Sequence, residues 1–331
     1  IIAMVLGAAA AVASGDPDAA AGGALLGQSV AERSFFSYTR GMESSADQAA
    51  LRYLEQTGQS AKGLLAILDK LQDQELLAGG AGDPYLRTHP LSQERIATVR
   101  RHVEDSPYSD KPPDPNLVIW HKRMRGKLNG YIDPPRKTLA RYAADDDGIE
   151  ARYARLYALK KLHRTDEALA IVDKLIEKSP NDPFFQETKG DILQDAGRIR
   201  DSIPPYRRSV ELVPDSALLR LNLAQSLLEI DEKNFAAEAL EHLNQATHQE
   251  PWITRAWRLK ATAYGRIGDM GGVALALAEE ALLLGDHKAA DRHSKRALEL
   301  LPDDKENRPR RQQALDIQNR AEAALEKNKG G

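Results

Sequence analysis

Apolar and small residues recur along the second half of the chain at helical spacing, and one stripe returns several times. Ala168, Val172 and Leu175 form a first copy, Ala239, Leu243 and Ala246 another, and Ala290, Ser294 and Ala297 another. Residues three and four apart share one face of a helix, so each stripe predicts a buried helical face. Ser202 opens a further copy, and each of Ala168, Ser202, Ala239 and Ala290 is followed twelve positions later by a proline. These prolines, Pro180, Pro214, Pro251 and Pro302, stand 34, 37 and 51 residues apart. Proline cannot continue a helix, so each predicted helix closes just before its proline. Gly190, Ala224 and Ala261 hold one register in the intervening helices, where close crossing is expected. The longest interval exceeds the shortest by a half-unit of 17 residues, which predicts one helix, over about 271–284, shared by two repeats.

A period near 34 residues with two helices per unit is that of the tetratricopeptide repeat, TPR. Residues 141–331 therefore read as a TPR solenoid, closed by a polar capping helix from Asn307 to Lys327. Pro204 and Pro205 interrupt one predicted helix, which is expected to start late, at about Pro204.

The first half follows a different pattern. Ile1 to Ala13 is an apolar run of thirteen residues, too short for a bilayer span of about 20. It reads as a core helix of a domain whose beginning lies upstream; an export signal is the competing reading. Ser29 to Thr57 carries a long helical pattern with Gly58 as its stop. Residues 60–77 form an amphipathic helix, with Leu64, Leu68 and Leu71 on one stripe and Ile67 beside them. A further helix opens at Pro90 and runs to about Val103. Ser106 to Pro115 contains four prolines and is expected to be extended, marking a boundary. Leu117, Trp120, Met124 and Leu128 then fall at helical spacing. The organisation expected is a helical domain over residues 1–105, a Pro-rich linker with one helix over 106–140, and the solenoid over 141–331.

Composition sharpens this picture in three ways. Aromatic residues are only 5% of the chain, so Ala and Leu carry the packing, as in an all-α fold of stacked helices. The formal net charge of −3 and a pI near 6.3 create no global field for nucleic acid, which is not an expected partner. The absence of cysteine excludes disulfides, thiolate nucleophiles and Cys-type zinc sites. A local basic run, His121, Lys122, Arg123, Arg125 and Lys127, is expected to be solvated while Trp120 and Met124 pack inward.

Candidate chemistry concentrates on Glu43 and Asp47, four apart on one helical face. Two carboxylates in an apolar helical domain require a cation, a proton or a base. Zinc suits the pair: Glu43 as a direct ligand, Asp47 orienting a histidine ligand through its other ring nitrogen.

YTRGMESSAD (Tyr38 to Asp47), followed some forty residues later by THPLSQERI (Thr88 to Ile96), resembles the second half of the catalytic domain of HtpX-like zinc metallopeptidases. The periplasmic members that append a TPR domain are the most similar in domain order. The resemblance implies the C-terminal part of a helical zinc-metallopeptidase domain ahead of the solenoid. It implies Glu43 as the third zinc ligand, Asp47 as its supporting aspartate, His89 at the active site and Arg95 as the accompanying arginine. It implies a Zn²⁺-polarised water attacking a peptide carbonyl, with His89 either a fourth ligand or a stabiliser of the oxyanion. These enzymes also carry H-E-x-x-H, and none of the eight histidines here stands in that motif. The chain as given is therefore expected to be inactive, with the motif upstream of Ile1. The implied function is envelope protein quality control, with misfolded or stalled proteins, or the outer-membrane assembly machinery, held in the TPR groove. The competing reading is a non-catalytic TPR adaptor.

Overall fold

The computed structural model describes residues 41–77 and 93–327, and among them every regular element is an α-helix. The chain falls into two compact units, Ile1–Ile119 and Trp120–Gly331.

In the first unit, α1 is described over residues 41–56, followed by α2 (Lys62–Leu77) and α3 (Gln93–Asp105). Leu51 of α1, Leu68 of α2, and Ile96 and Val99 of α3 meet around Ala61, and Leu64, Leu65 and Val103 pack at the edge. Burying these side chains contributes about 1.5–3 kcal/mol for each large aliphatic residue. Gly58 stops α1 as predicted, in the left-handed region at φ +62°. Of the α2 stripe, Leu68 is buried and Leu64 and Leu71 are half-buried, whereas the Ile67 side chain is more than half exposed.

The proline-rich segment is only partly extended. Ser109 N–H donates to the Ser106 carbonyl at 3.3 Å, with Pro107 between them at the second position of a turn. Ser60 Oγ donates to the Ser109 carbonyl at 2.7 Å and Ser106 Oγ to Glu55 at 2.6 Å, so this turn is stitched onto the α1–α2 connection.

Helix α4 (Pro115–Ile132), from Trp120 onward, opens the second unit, followed by α5 (Pro135–Arg141). The helix pairs are α6 (Ile149–Lys161) with α7 (Thr165–Lys178), α8 (Pro183–Asp195) with α9 (Ile199–Leu212), and α10 (Ala217–Leu228) with α11 (Lys233–Gln249). Then come α12 (Thr254–Ile267), α13 (Met270–Leu283), α14 (His287–Leu300) and α15 (Arg308–Lys327). The expected stripes are buried: Ala168, Val172, Ala239, Leu243, Ala290 and Ala297 are fully enclosed. Helix α13 packs against both α12 and α14, as a helix shared by two repeats must. Helix α15 closes the array on Ala314, Ile317 and Ala321.

Two expectations in this unit are corrected. Helix α9 begins at Ile199, not near Pro204, and carries Pro204 and Pro205 inside it. The carbonyls these prolines leave without N–H donors belong to Arg200 and Asp201, which are exposed, so water can serve them. Ser202, Ile203, Tyr206, Ser209 and Val210 are buried on either side and hold the helix in place.

The second correction concerns α4. Arg123 is buried, while Trp120 and Met124 are 49% and 58% exposed, the reverse of the expected arrangement. The reason lies in Gly126 and Gly130, which share a face with Arg123. A Cβ at Gly130 would stand 2.6 Å from the Ala154 carbonyl oxygen and 2.7 Å from Tyr157 Cβ, and one at Gly126 would strike the Glu150 carbonyl. Only the glycine face allows α4 to approach the α6 backbone this closely, and Arg123 is carried inward with it. Its guanidinium donates to both oxygens of Asp182 at 2.7 and 3.0 Å and lies 4.4 Å from the ring centres of Trp120 and Phe185.

Candidate functional site

Helix α1 presents Glu43 and Asp47 on one face, as their spacing requires, and α3 brings Arg95 against them. Arg95 Nε donates to Asp47 Oδ2 at 2.6 Å and Nη2 to Oδ1 at 3.0 Å, a bidentate pair. The same Nη2 stands 3.1 Å from Glu43 Oε2. Arg95 and Asp47 are both buried, and Glu43 is about one-fifth exposed at the edge of the cluster. Burial opposes the charge of Arg95, but the hydrogen bonds and negative charge of Asp47, with those of Glu43, outweigh it and hold the guanidinium firmly protonated. The cation that two carboxylates in an apolar setting require is thus supplied by Arg95. Sequence spacing placed the carboxylates together, but the resemblance alone pointed to Arg95, 48 residues from Asp47.

His89 lies outside the described residues. Among those described, no three His, Cys, Asp or Glu side chains stand close enough to hold a metal ion. Zinc takes about four donors, and a guanidinium beside both carboxylates repels a second cation. Glu43, Asp47 and Arg95 therefore do not make a zinc site by themselves.

A second polar cluster lies on the inner helices of the solenoid, which sequence reasoning missed. Lys160, Asp191, Asn222 and Arg255, from α6, α8, α10 and α12, line a cavity of about 450 Å³. Asn222 Nδ2 donates to Glu187 at 3.0 Å and the Tyr206 hydroxyl donates to Asp191 at 2.7 Å. Burial, followed by the neighbouring Asp191, pushes the Glu187 carboxyl above its ordinary range. Burial does the same to Asp191, against the opposing bond from Tyr206. The legible signal was an acidic spacing on α8, Glu187, Asp191 and Asp195 at successive four-residue steps.

Residues 1–103 match the model of Peptidase family M48. The expected resemblance stands on this match. The Beta-barrel assembly-enhancing protease of Yersinia pestis is 23% identical over 258 residues, covering 77% of this chain and 52% of the relative. The chain spans about half the length of that curated relative. Among solved structures, MamA is 20% identical with a TM-score of 0.38, covering 53% of this chain and 97% of its own. YrrB, described as a TPR protein with an unusual peptide-binding site, is 19% identical with a TM-score of 0.42, covering 55% and 92%. At such TM-scores the likeness adds nothing to what the helix pairs themselves show. No described helix is long and apolar enough to cross a membrane.

Proposed function

We propose that this chain is part of a zinc-dependent endopeptidase of bacterial envelope protein quality control, acting in the periplasm. The observation that carries the reading is the buried Glu43–Arg95–Asp47 cluster within the region matching Peptidase family M48. Glu43, at the edge of the cluster, is the zinc ligand; Asp47 and Arg95 fix the rotamer that presents it. His89 acts beside the metal, and the remaining donors come from residues beyond those described. The inner face of the solenoid recruits misfolded or stalled proteins, or the outer-membrane assembly machinery. Its partly desolvated carboxylates and the Lys160 and Arg255 cations meet the backbone and side chains of an unfolded segment.

The test is the metal content of the polypeptide the whole gene encodes. About one zinc per chain is expected, with loss in Glu43→Gln and chelator-sensitive cleavage of an unfolded protein such as casein. A wild-type product free of zinc, or a Glu43→Gln product that keeps it, overturns the reading.

A further inference from the structure

The inverted orientation of α4 leaves an apolar groove that neither the peptidase match nor the inner face of the solenoid employs. Trp120, Met124, Leu128 and Tyr131 of α4 form one wall, Phe184 at the start of α8 the other, and Tyr153 of α6 the floor, enclosing about 450 Å³. The rings of Trp120 and Phe184 meet edge to face at 5.6 Å, in direct contact, so the two walls join there. Tyr153 is 3% exposed and lies deep. Arg123 contributes no net charge to the lining, because Asp182 takes both ends of its guanidinium.

On the α4 side the rim has a single sign. Between Trp120 and Ile132 there is no Asp or Glu, whereas Lys122, Arg123, Arg125 and Lys127 are all cationic. Asp182 neutralises Arg123 and Glu150 pairs with Arg125 at 3.0 Å. Lys122 and Lys127 are exposed, and among the described residues neither makes a direct ion pair, although Lys127 acts electrostatically on Glu187 and Asp191. Lys127 lies over the Tyr157 ring at 5.5 Å, held at the groove's edge.

We propose that this groove binds an acidic amphipathic segment of another protein, which lays bulky apolar side chains against Met124, Leu128 and Tyr131 beside the Trp120–Phe184 pair and sets carboxylates against Lys122 and Lys127. The charge pattern selects this occupant. A second copy docking through the same face would bring two acid-free basic helices together, and like charges across an interface cost several kcal/mol. A bilayer surface would meet the basic rim favourably, but it cannot follow a concavity whose floor is a buried tyrosine. A helix carrying apolar residues at three- and four-residue spacing can do both. The inference stands apart from the peptidase reading, since peptide capture and zinc content are separate measurements.

The probe is a labelled synthetic peptide of about 16 residues with Leu and Phe on one helical stripe and Glu on the flanks, alongside a twin with Lys in place of Glu. The full chain is expected to bind the acidic peptide with a Kd of about 1–50 μM, more weakly as salt rises, and to ignore the basic twin. Met124→Glu and Leu128→Ser are expected to weaken binding at least about tenfold with unchanged helical circular dichroism, because both side chains are exposed. Equal binding of the two peptides overturns the proposal. Undiminished binding by both variants also overturns it and assigns the peptide to the inner groove. Failure to bind the peptide, together with Met124-dependent binding to phosphatidylglycerol vesicles, assigns the face to a membrane instead. Self-association abolished by Met124→Glu, without peptide binding, assigns it to a second copy.

Discussion

Adding one methyl group at Gly130 is expected to weaken the second unit, although alanine is the better helix former. The new Cβ would lie 2.6 Å from the Ala154 carbonyl oxygen, 2.7 Å from Tyr157 Cβ and 3.1 Å from Ala154 Cα. Comfortable carbon contacts are about 3.5–4.0 Å, so α4 must retreat from α6 by close to 1 Å. The obstructing atoms are backbone and Cβ, and no side-chain rotation relieves them. Overpacking of this kind costs about 1–3 kcal/mol, offset by about 1 kcal/mol of helix propensity. Gly130→Ala is therefore expected to destabilise by up to about 2 kcal/mol. Gly265 in α12 is the internal control: its added Cβ would meet only Val273 Cγ2 at 3.6 Å, an ordinary contact. Gly265→Ala should then raise stability by about 0.5–1 kcal/mol. Urea unfolding, followed by helical circular dichroism and tryptophan fluorescence, compares the two; Trp120 on α4 reports directly on the crossing. A Gly130→Ala midpoint equal to or above wild type, or a Gly265→Ala midpoint falling equally, refutes the close-crossing argument.

Removing Arg95 as Arg95→Met takes from buried Asp47 its bidentate partner and should cost about 3–5 kcal/mol. Adding Asp47→Leu is expected to recover at least about 1 kcal/mol of that, a non-additivity read by a double-mutant cycle; simple additivity would mean the pair is not coupled. Lys260 gives a pH signature. Burial depresses its pKa from 10.5 to about 8, although its ammonium lies 4.7 Å from the Trp257 ring centre. Below about pH 8 the lysine is charged in both folded and unfolded chains, and the folded state bears the full penalty. As pH rises from about 8 to 10.5 the unfolded chain binds more protons, so stability increases. Lys260→Met is expected to raise the melting temperature at pH 7 and remove this rise, checked by thermal melts across the range.

The solenoid was legible because its determinants are local and periodic. Ala168, Ala239 and Ala290 fall at helix crossings, and their burial follows from a register written in the sequence. Local rules failed where tertiary packing chose among permissible arrangements. Pro204 and Pro205 satisfy every rule for a helix boundary, yet Ser202 and Ile203 ahead of them and Tyr206 behind are buried against neighbouring helices, which outweighs two missing donors. On α4, hydrophobicity favoured turning Trp120 and Met124 inward, but how close two backbones can come depends on glycine, and Gly126 and Gly130 set the rotation. At the carboxylate cluster, spacing placed Glu43 beside Asp47, while their partner arrived from α3 through a contact that no helical period encodes. His89 falls outside the described residues, and its role stays part of the proposal.

The helix shared between two repeats, α13, changes how the C-terminal end comes apart. In an array whose units have private partners, repeats can peel away one at a time from the terminus. Here α12 and α14 lean on the same central element, so releasing either exposes a face of α13 and loosens its hold on the other. Fraying from the far end should therefore pause at α15 and then proceed in a single step through α12 to α14, making this stretch one block of common amide-exchange protection.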